Sequence, residues 1–336
     1  MKKVVYFLVA VFLLATLTFC GKEKGEGQET EAEPGSPDRS DDLYVVVSMF
    51  TGIDYHIEYI RALEIIEEEL GVRTEFVGPA DYNINEMIAA IEQAITKQAD
   101  GLIIMGWEET LEPVIGKAMD EGIPVITVTA DLPASDRLSF IGIDNFDVGK
   151  KSAEFLAEQL NYEGKVAILR AVGLPNVQQR FEGFSEVIES YPDMELVADL
   201  DHKNDSATAA QLVTGILLKH PDMGGIYAAD GLSGPGVVAG LKDADMVGKV
   251  KVIASDREDA VLASIADGFI DATIIAQTSL EPYLAIKLID SMKYSGLELS
   301  MDDEAVGITL IPPRVHSGSF IVDRDNVKYF RRDYKK

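Results

Sequence analysis

The sequence predicts an α/β protein built as two Rossmann-like parallel-sheet lobes, and three observations carry that expectation. From Leu43 onward, short β-branched runs alternate with stretches of helical periodicity, the pattern of parallel strands covered on both faces by crossover helices. The alternation begins afresh near residue 146, and the roughly 290 residues involved suit two domains better than one. The strands also end in small and polar residues, as Val125 to Val128 does before Asp131, which is how a buried strand looks when its carboxyl end opens onto a site.

The chain of 336 residues starts with the basic Met1-Lys2-Lys3 and an apolar run of sixteen residues, Val4 to Phe19. A membrane-spanning helix needs about 20 apolar residues, so residues 1–19 read as a secretory signal peptide. The run ends at Cys20, the only cysteine, which has no partner for an internal disulfide. Leu17-Thr18-Phe19-Cys20 resembles a bacterial lipobox, although Phe19 replaces the small residue usual before the cysteine. Cys20 is therefore the expected lipid-attachment site, a retained anchor being the alternative. Residues 20–42, rich in Gly, Glu, Pro and Ser, bury no core and read as a lipid-anchored flexible tether. The expected location is the cell envelope, outside the membrane. Signal removal takes the net charge from −27 to −29, because two lysines and no acids leave. So acidic a surface argues against nucleic acid and against an anionic lipid surface.

Strands are expected at Leu43–Met49, Val72–Val77, Gly101–Met105, Val125–Val128 and Ser139–Ile143, with helices at Tyr55–Leu70, Asn83–Lys97 and Thr110–Asp120. The second series runs helix 146–160, strand 165–170, helix 177–190, strand 194–200, helix 205–218, strand 224–228, helix 234–245, strand 250–254, helix 257–267 and strand 272–276. The helix Leu280–Met292 is expected to return to the first lobe. The lobes are therefore drawn as 43–145 plus 278–307 and 146–277 plus 308–325, leaving 326–336 as a tail.

What interrupts the strand ends points to chemistry. Tyr55 and His56 open a helix after the first strand, where they suit stacking on a flat ligand face; a hydrophobic staple is the rival reading. Trp107, the sole tryptophan, follows the third strand. Arg180 sits early on a helix, where its replacement is expected to spare the unliganded fold. Asp230, Asp256 and Gln277 follow later strands, with helix N-capping as the rival role for the acids.

At this point the chain resembles the ribose-binding, type I periplasmic binding-protein family, the solute receptors of sugar ABC transporters, over about residues 43–322. The landmarks are VVS at 46–48, PVIT at 124–127, Arg180 with Glu182-Gly183-Phe184, HPD at 220–222, DG at 267–268 and ATI before Gln277. The Gly78-Pro79 before the second helix resembles a subset of that family. The resemblance implies two lobes joined by a multi-strand hinge, with ligand contacts at Tyr55, His56, Arg180, Asp230, Asp256 and Gln277. It also implies departures: Thr129 stands where the family has a hydroxyl-binding Asp, Asp131 matches a second acid, and Asn204 stands where an aromatic is frequent. Hinge candidates are Asp144–Phe146, Gln277–Ser279 and a crossing before Ile308.

The function implied is capture of a monosaccharide or similar polyol by hinge closure and delivery to a membrane ABC permease, by a monomer with no cofactor and no metal. A receptor that signals to a membrane kinase or chemoreceptor is the alternative. Enzyme motifs are missing: there is no Gly-x-Ser-x-Gly elbow, no phosphate loop, and the four histidines are scattered. Asp131 and Asp256 flanking a glycosidic bond is the minor, hydrolytic alternative.

Overall fold

A computed structural model describes residues 37–330, apart from 53, 297, 299, 302 and 304; the expected signal peptide, Cys20 and most of the tether lie outside the described residues. The first sheet collects β1 (Leu43–Val47), β2 (Arg73–Val77), β3 (Gly101–Met105), β4 (Val125–Val128) and β5 (Ser139–Gly142), linked by α1 (Ile57–Leu70), α2 (Ile84–Thr96) and α3 (Glu112–Asp120). After α4 (Asn145–Gln159) the second sheet collects β6 (Gly164–Arg170), β7 (Met194–Asp201), β8 (Met223–Ala228), β9 (Lys251–Ser255) and β10 (Ala272–Ala276). Its crossovers are α5 (Pro175–Ser190), α6 (Ser206–Lys219), α7 (Ser233–Asp243) and α8 (Asp259–Asp267). The chain then runs through α9 (Leu280–Tyr294), β11 (Arg314–His316) and β12 (Ser319–Asp323). The strand orders are β11-β5-β4-β3-β1-β2 and β12-β10-β9-β8-β6-β7, all parallel except the β10–β12 pair. Every residue of β1, β3 and β4 is buried, which explains why those strands read as unbroken apolar runs rather than as alternations.

Short polar signals set the helix ends. The Asn83 side chain accepts from the amides of Asn85 and Glu86 at the start of α2, Asp144 caps α4 by accepting from Asp147, and Asp205 caps α6 by accepting from Thr208. Gly71 closes α1 in the left-handed conformation at φ 73°. The helix α9 packs on α1 and on the back of β3, β4 and β5, as its return to the first lobe requires.

Three expected boundaries move. The stretch from 308 does not belong wholly to the second lobe: Arg314–His316 pairs with β5 in the first sheet, and only Ser319–Asp323 joins the second. The third crossing is therefore at Ser317–Gly318, not before Ile308. The Pro312 and Pro313 carbonyls accept from the Ser139 hydroxyl and the Phe140 amide, docking a strand too short to show a period. The tether ends before residue 42, since Arg39 pairs with Asp290 at 2.5 Å and Asp42 is buried against Lys293 and Tyr294. Val327, assigned to the tail, is buried in the second core, and the Phe330 carbonyl accepts from Arg257.

One contact matters for the site. The helices α4 and α5 cross at Gly149 and Gly183, so closely that a Cβ on Gly183 would lie 2.1 Å from the Phe146 carbonyl oxygen and one on Gly149 2.0 Å from that of Arg180. Gly215, in α6, meets nothing within 4 Å. Gly183→Ala is expected to destabilise by about 1–3 kcal/mol through overpacking, whereas Gly215→Ala should stabilise by about 0.5–1 kcal/mol. Denaturant unfolding of the two variants beside wild type checks both signs.

Candidate functional site

The second lobe contributes a wall built around a buried cation. Arg180, on the second turn of α5, is only 5% exposed, held where α5 meets α4. Its Nε donates to Asn145 Oδ1 at 2.9 Å, its Nη1 to the Ala229 carbonyl at 2.8 Å, and its Nη2 lies 3.7 Å from Asp256 Oδ1. Two edges of the guanidinium are thus spent on the protein and the third faces Asp256. Contrary to expectation, Arg180 also holds the fold together, and its removal would leave polar groups buried without a partner.

Asp256 follows β9 in the left-handed conformation, φ 77°, with its amide on the Ile274 carbonyl and its own carbonyl accepting from the Thr273 hydroxyl at 2.8 Å. That turn aims a side chain still 18% exposed at the crevice. Burial pushes its carboxyl up, against the pull of Arg180. Asp230 is more completely occupied: it accepts from the Ala171, Leu232 and Ser233 amides and from His202 Nε2 at 2.9 Å. Burial opposes its charge, but His202 and those donors outweigh it and hold the carboxyl below its ordinary value. Asp230 therefore plays the cap-like role weighed against it, while standing close enough to Asp256 and Arg180 to act on both electrostatically.

The first lobe contributes Tyr55 and, behind it, a buried trio. The Tyr59 hydroxyl lies 2.8 Å from Thr129 Oγ1 and donates to Glu281 Oε2, which also accepts from Thr129 Oγ1 at 2.9 Å. Glu281 is 1% exposed on the first turn of α9, and burial, partly offset by these two hydroxyls, pushes it up to about 7. Thr129 holds φ 67°, an unusual conformation for a β-branched residue. Phe50 stacks on Trp107, ring centres 5.0 Å apart, with His56 against both rings. His56 is 1% exposed, so it backs the aromatic layer and has no face left for a ligand; burial lowers its imidazole to about 4.

Tyr55, Asp256, Glu58, Arg257 and Thr278 line a narrow crevice between the two lobes. Arg257 reaches across it to Glu58 Oε1 at 2.8 Å. The structure thus brings Tyr55, Arg180, Asp230 and Asp256 to one place. Trp107 stands in the aromatic layer, and three other expected residues have different employment. Asp131 is clamped by Arg137, at 2.6 and 2.8 Å, and by Arg314 of β11 at 2.7 Å, a tie across the edge of the first sheet. Gln277 donates to the Ser317 carbonyl at 2.9 Å and so joins two of the three crossings. Asn204 is exposed in a left-handed turn, and it is His202 of that turn that points inward. With Asp131 so placed, the hydrolytic pairing of Asp131 with Asp256 has no support in the geometry. Sequence reasoning missed Glu281, Tyr59, Asn145, His202 and the Glu58–Arg257 bridge. Among the described residues, no group of three or more His, Cys, Asp or Glu is placed to hold a metal ion.

The family described as periplasmic binding protein domain matches residues 44–294. The chain is 23% identical over 270 residues to the D-allose-binding periplasmic protein of Escherichia coli, covering 77% of this chain and 87% of that protein. It is 27% identical over 227 residues to a D-ribose/D-allose-binding protein of Pseudomonas aeruginosa, covering 65% and 68%. Among solved structures, an arabinose-binding protein of Geobacillus stearothermophilus superposes with a TM-score of 0.79 at 31% identity, covering 87% of this chain and 99% of that one. A sugar-binding protein of a Bacillus halodurans sugar ABC transporter superposes with a TM-score of 0.81 at 28% identity, covering 86% and 100%.

The buried carboxyl has a measurable consequence. Glu281 is raised from 4.5 to about 7, so the folded chain holds a proton that the unfolded chain has released. Its contribution to stability is complete below pH 4.5 and is lost as pH rises through about 7. His56, lowered from 6.5 to about 4, slopes the other way, losing stability as pH falls. Denaturant unfolding of wild type and Glu281→Gln across this range should show the variant gaining on wild type between pH 4.5 and 7, with His56 cancelling in the difference.

Proposed function

Because the chain belongs to the periplasmic binding protein domain family, we propose that it captures a monosaccharide or similar polyol between its lobes and hands it to the permease of an ABC importer. The observation that carries this reading is the division of the crevice: Arg180 and Asp256 stand on one lobe and Tyr55 on the other. A sugar presents hydroxyls that donate and accept, with C–H faces between them. Charged planar groups bond such hydroxyls at about 1.5–3 kcal/mol each, and an aromatic face adds about 0.5–1.5 kcal/mol. A micromolar complex needs about 8 kcal/mol net, so neither wall suffices alone. Ligand therefore favours the closed arrangement in which both walls act at once, with Glu58–Arg257 as a second link between the lobes.

The names of relatives, which specify ribose, allose and arabinose, support a small sugar. The reading includes export by the apolar leader and lipid attachment at Cys20, which would keep a monomeric receptor at the membrane face near its permease. Among the described residues no helix is long and apolar enough to cross a membrane.

Melting the mature protein with a panel of pentoses, hexoses and inositols tests the proposal. One or a few members should stabilise it by about 2.7 kcal/mol at 100 times the dissociation constant. Asp256→Asn should abolish that gain with a smaller effect on the unliganded melt, since Asp256 is the more open partner of the pair. A panel without any stabilising member would overturn the reading.

A further inference from the structure

We propose that Glu281 is a positioning residue for the ligand, acting through the hydroxyl of Thr129, so that capture in the crevice is linked to release of a proton from Glu281. The inference rests on the sugar-binding reading and extends it to a residue on the returning helix. Thr129 follows β4, half-buried beside Tyr55 of the crevice wall, and its Oγ1 meets both Tyr59 and Glu281. Among the described residues no lysine or arginine pairs with Glu281, whose carboxyl group meets those two hydroxyls and the Thr129 amide. The ionisable groups facing it are Tyr59 from the first turn of α1, Tyr55 from the turn just before that helix and Asp256 from across the crevice, with Arg180 beyond Asp256.

Proton count decides what Thr129 offers. With Glu281 ionised, its carboxylate accepts both hydroxyl protons, and the Thr129 oxygen turns lone pairs toward the crevice. A ligand hydroxyl can then donate to Thr129, which lends the effect of a carboxylate to a neutral contact. With Glu281 protonated, its own proton must go to one of the two hydroxyls, and Thr129 loses that acceptor role. The ligand therefore prefers the ionised form, and because burial holds Glu281 near neutrality, the preference falls in an accessible pH range.

The test is calorimetric titration, at pH 5.5 and 8.5, of a sugar that stabilises wild type. Wild-type affinity should rise about tenfold between the two, the effect of one unit of pKa displacement. Glu281→Gln, which resembles the protonated acid, should hold the low-pH affinity throughout. Thr129→Val should also lose the dependence, although Glu281 still titrates in its stability curve. Whatever Asp256 contributes persists in both variants and drops out of the comparison. A wild-type pH profile retained in Glu281→Gln would end the assignment, and one retained in Thr129→Val would end the route through Thr129. A flat wild-type profile overturns the Glu281 inference and leaves sugar binding standing; no binding at either pH removes both.

Discussion

A guanidinium taken out of water has to be repaid at each of its edges, and much of the second lobe is arranged around that demand. Arg180 finds a side-chain amide on α4, a carbonyl after β8 and a carboxylate after β9, so three separate elements must be in register before the charge is tolerable. The close approach of α4 and α5 follows from the same requirement. Without side chains at Gly149 and Gly183 the helices come near enough for Asn145, in the first turn of α4, to meet Arg180. Asp256 is the partner with most freedom, and it is the one that lines the crevice.

The first- and second-lobe walls of the crevice hold their buried acids differently. The second gives its acids basic partners, Asp256 with Arg180 and Asp230 with His202. The first gives Glu281 the Tyr59 and Thr129 hydroxyls and the Thr129 amide but no cation, so burial outweighs them and its carboxyl rises toward neutrality. One wall is then a fixed dipole and the other an adjustable one. A hydroxylated ligand that offers both donors and acceptors can satisfy both, which a purely cationic or purely anionic ligand cannot.

The fold was legible because each strand of a parallel sheet covered on both faces is an apolar run, and each helix between them carries a 3.6-residue period. In the second lobe, Asp256 was visible as a polar residue just past an apolar strand, whereas Arg180, on the second turn of α5, stood out through the resemblance carried by its segment with Glu182-Gly183-Phe184. What stayed hidden depends on distant partners. Glu281 sits in the first turn of a helix, where a glutamate is ordinary, and only its contact with Thr129, 152 positions away in sequence, gives it meaning. Asp131 looked like a ligand acid because it follows β4, but Arg314, 183 positions on, claims it for the sheet edge. The strand that carries Arg314 has three residues and no period to read.

Asp131 and Gln277 together show why the hinge region and the site need separate residues. The clamp of Asp131 by Arg137 and Arg314 fastens β11 to the first sheet, and Gln277 holds the Ser317 carbonyl beside it. Such ties fix where the chain crosses between lobes, and they serve best if they persist whether or not a ligand is present. Ligand contacts must do the reverse, forming only when the lobes meet. A carboxylate already satisfied by two guanidinium groups has little left to give a sugar, while Asp256, with one cation at 3.7 Å and part of its surface open, has. The acids that follow the strands are thus separated by how completely the protein's own groups already satisfy them.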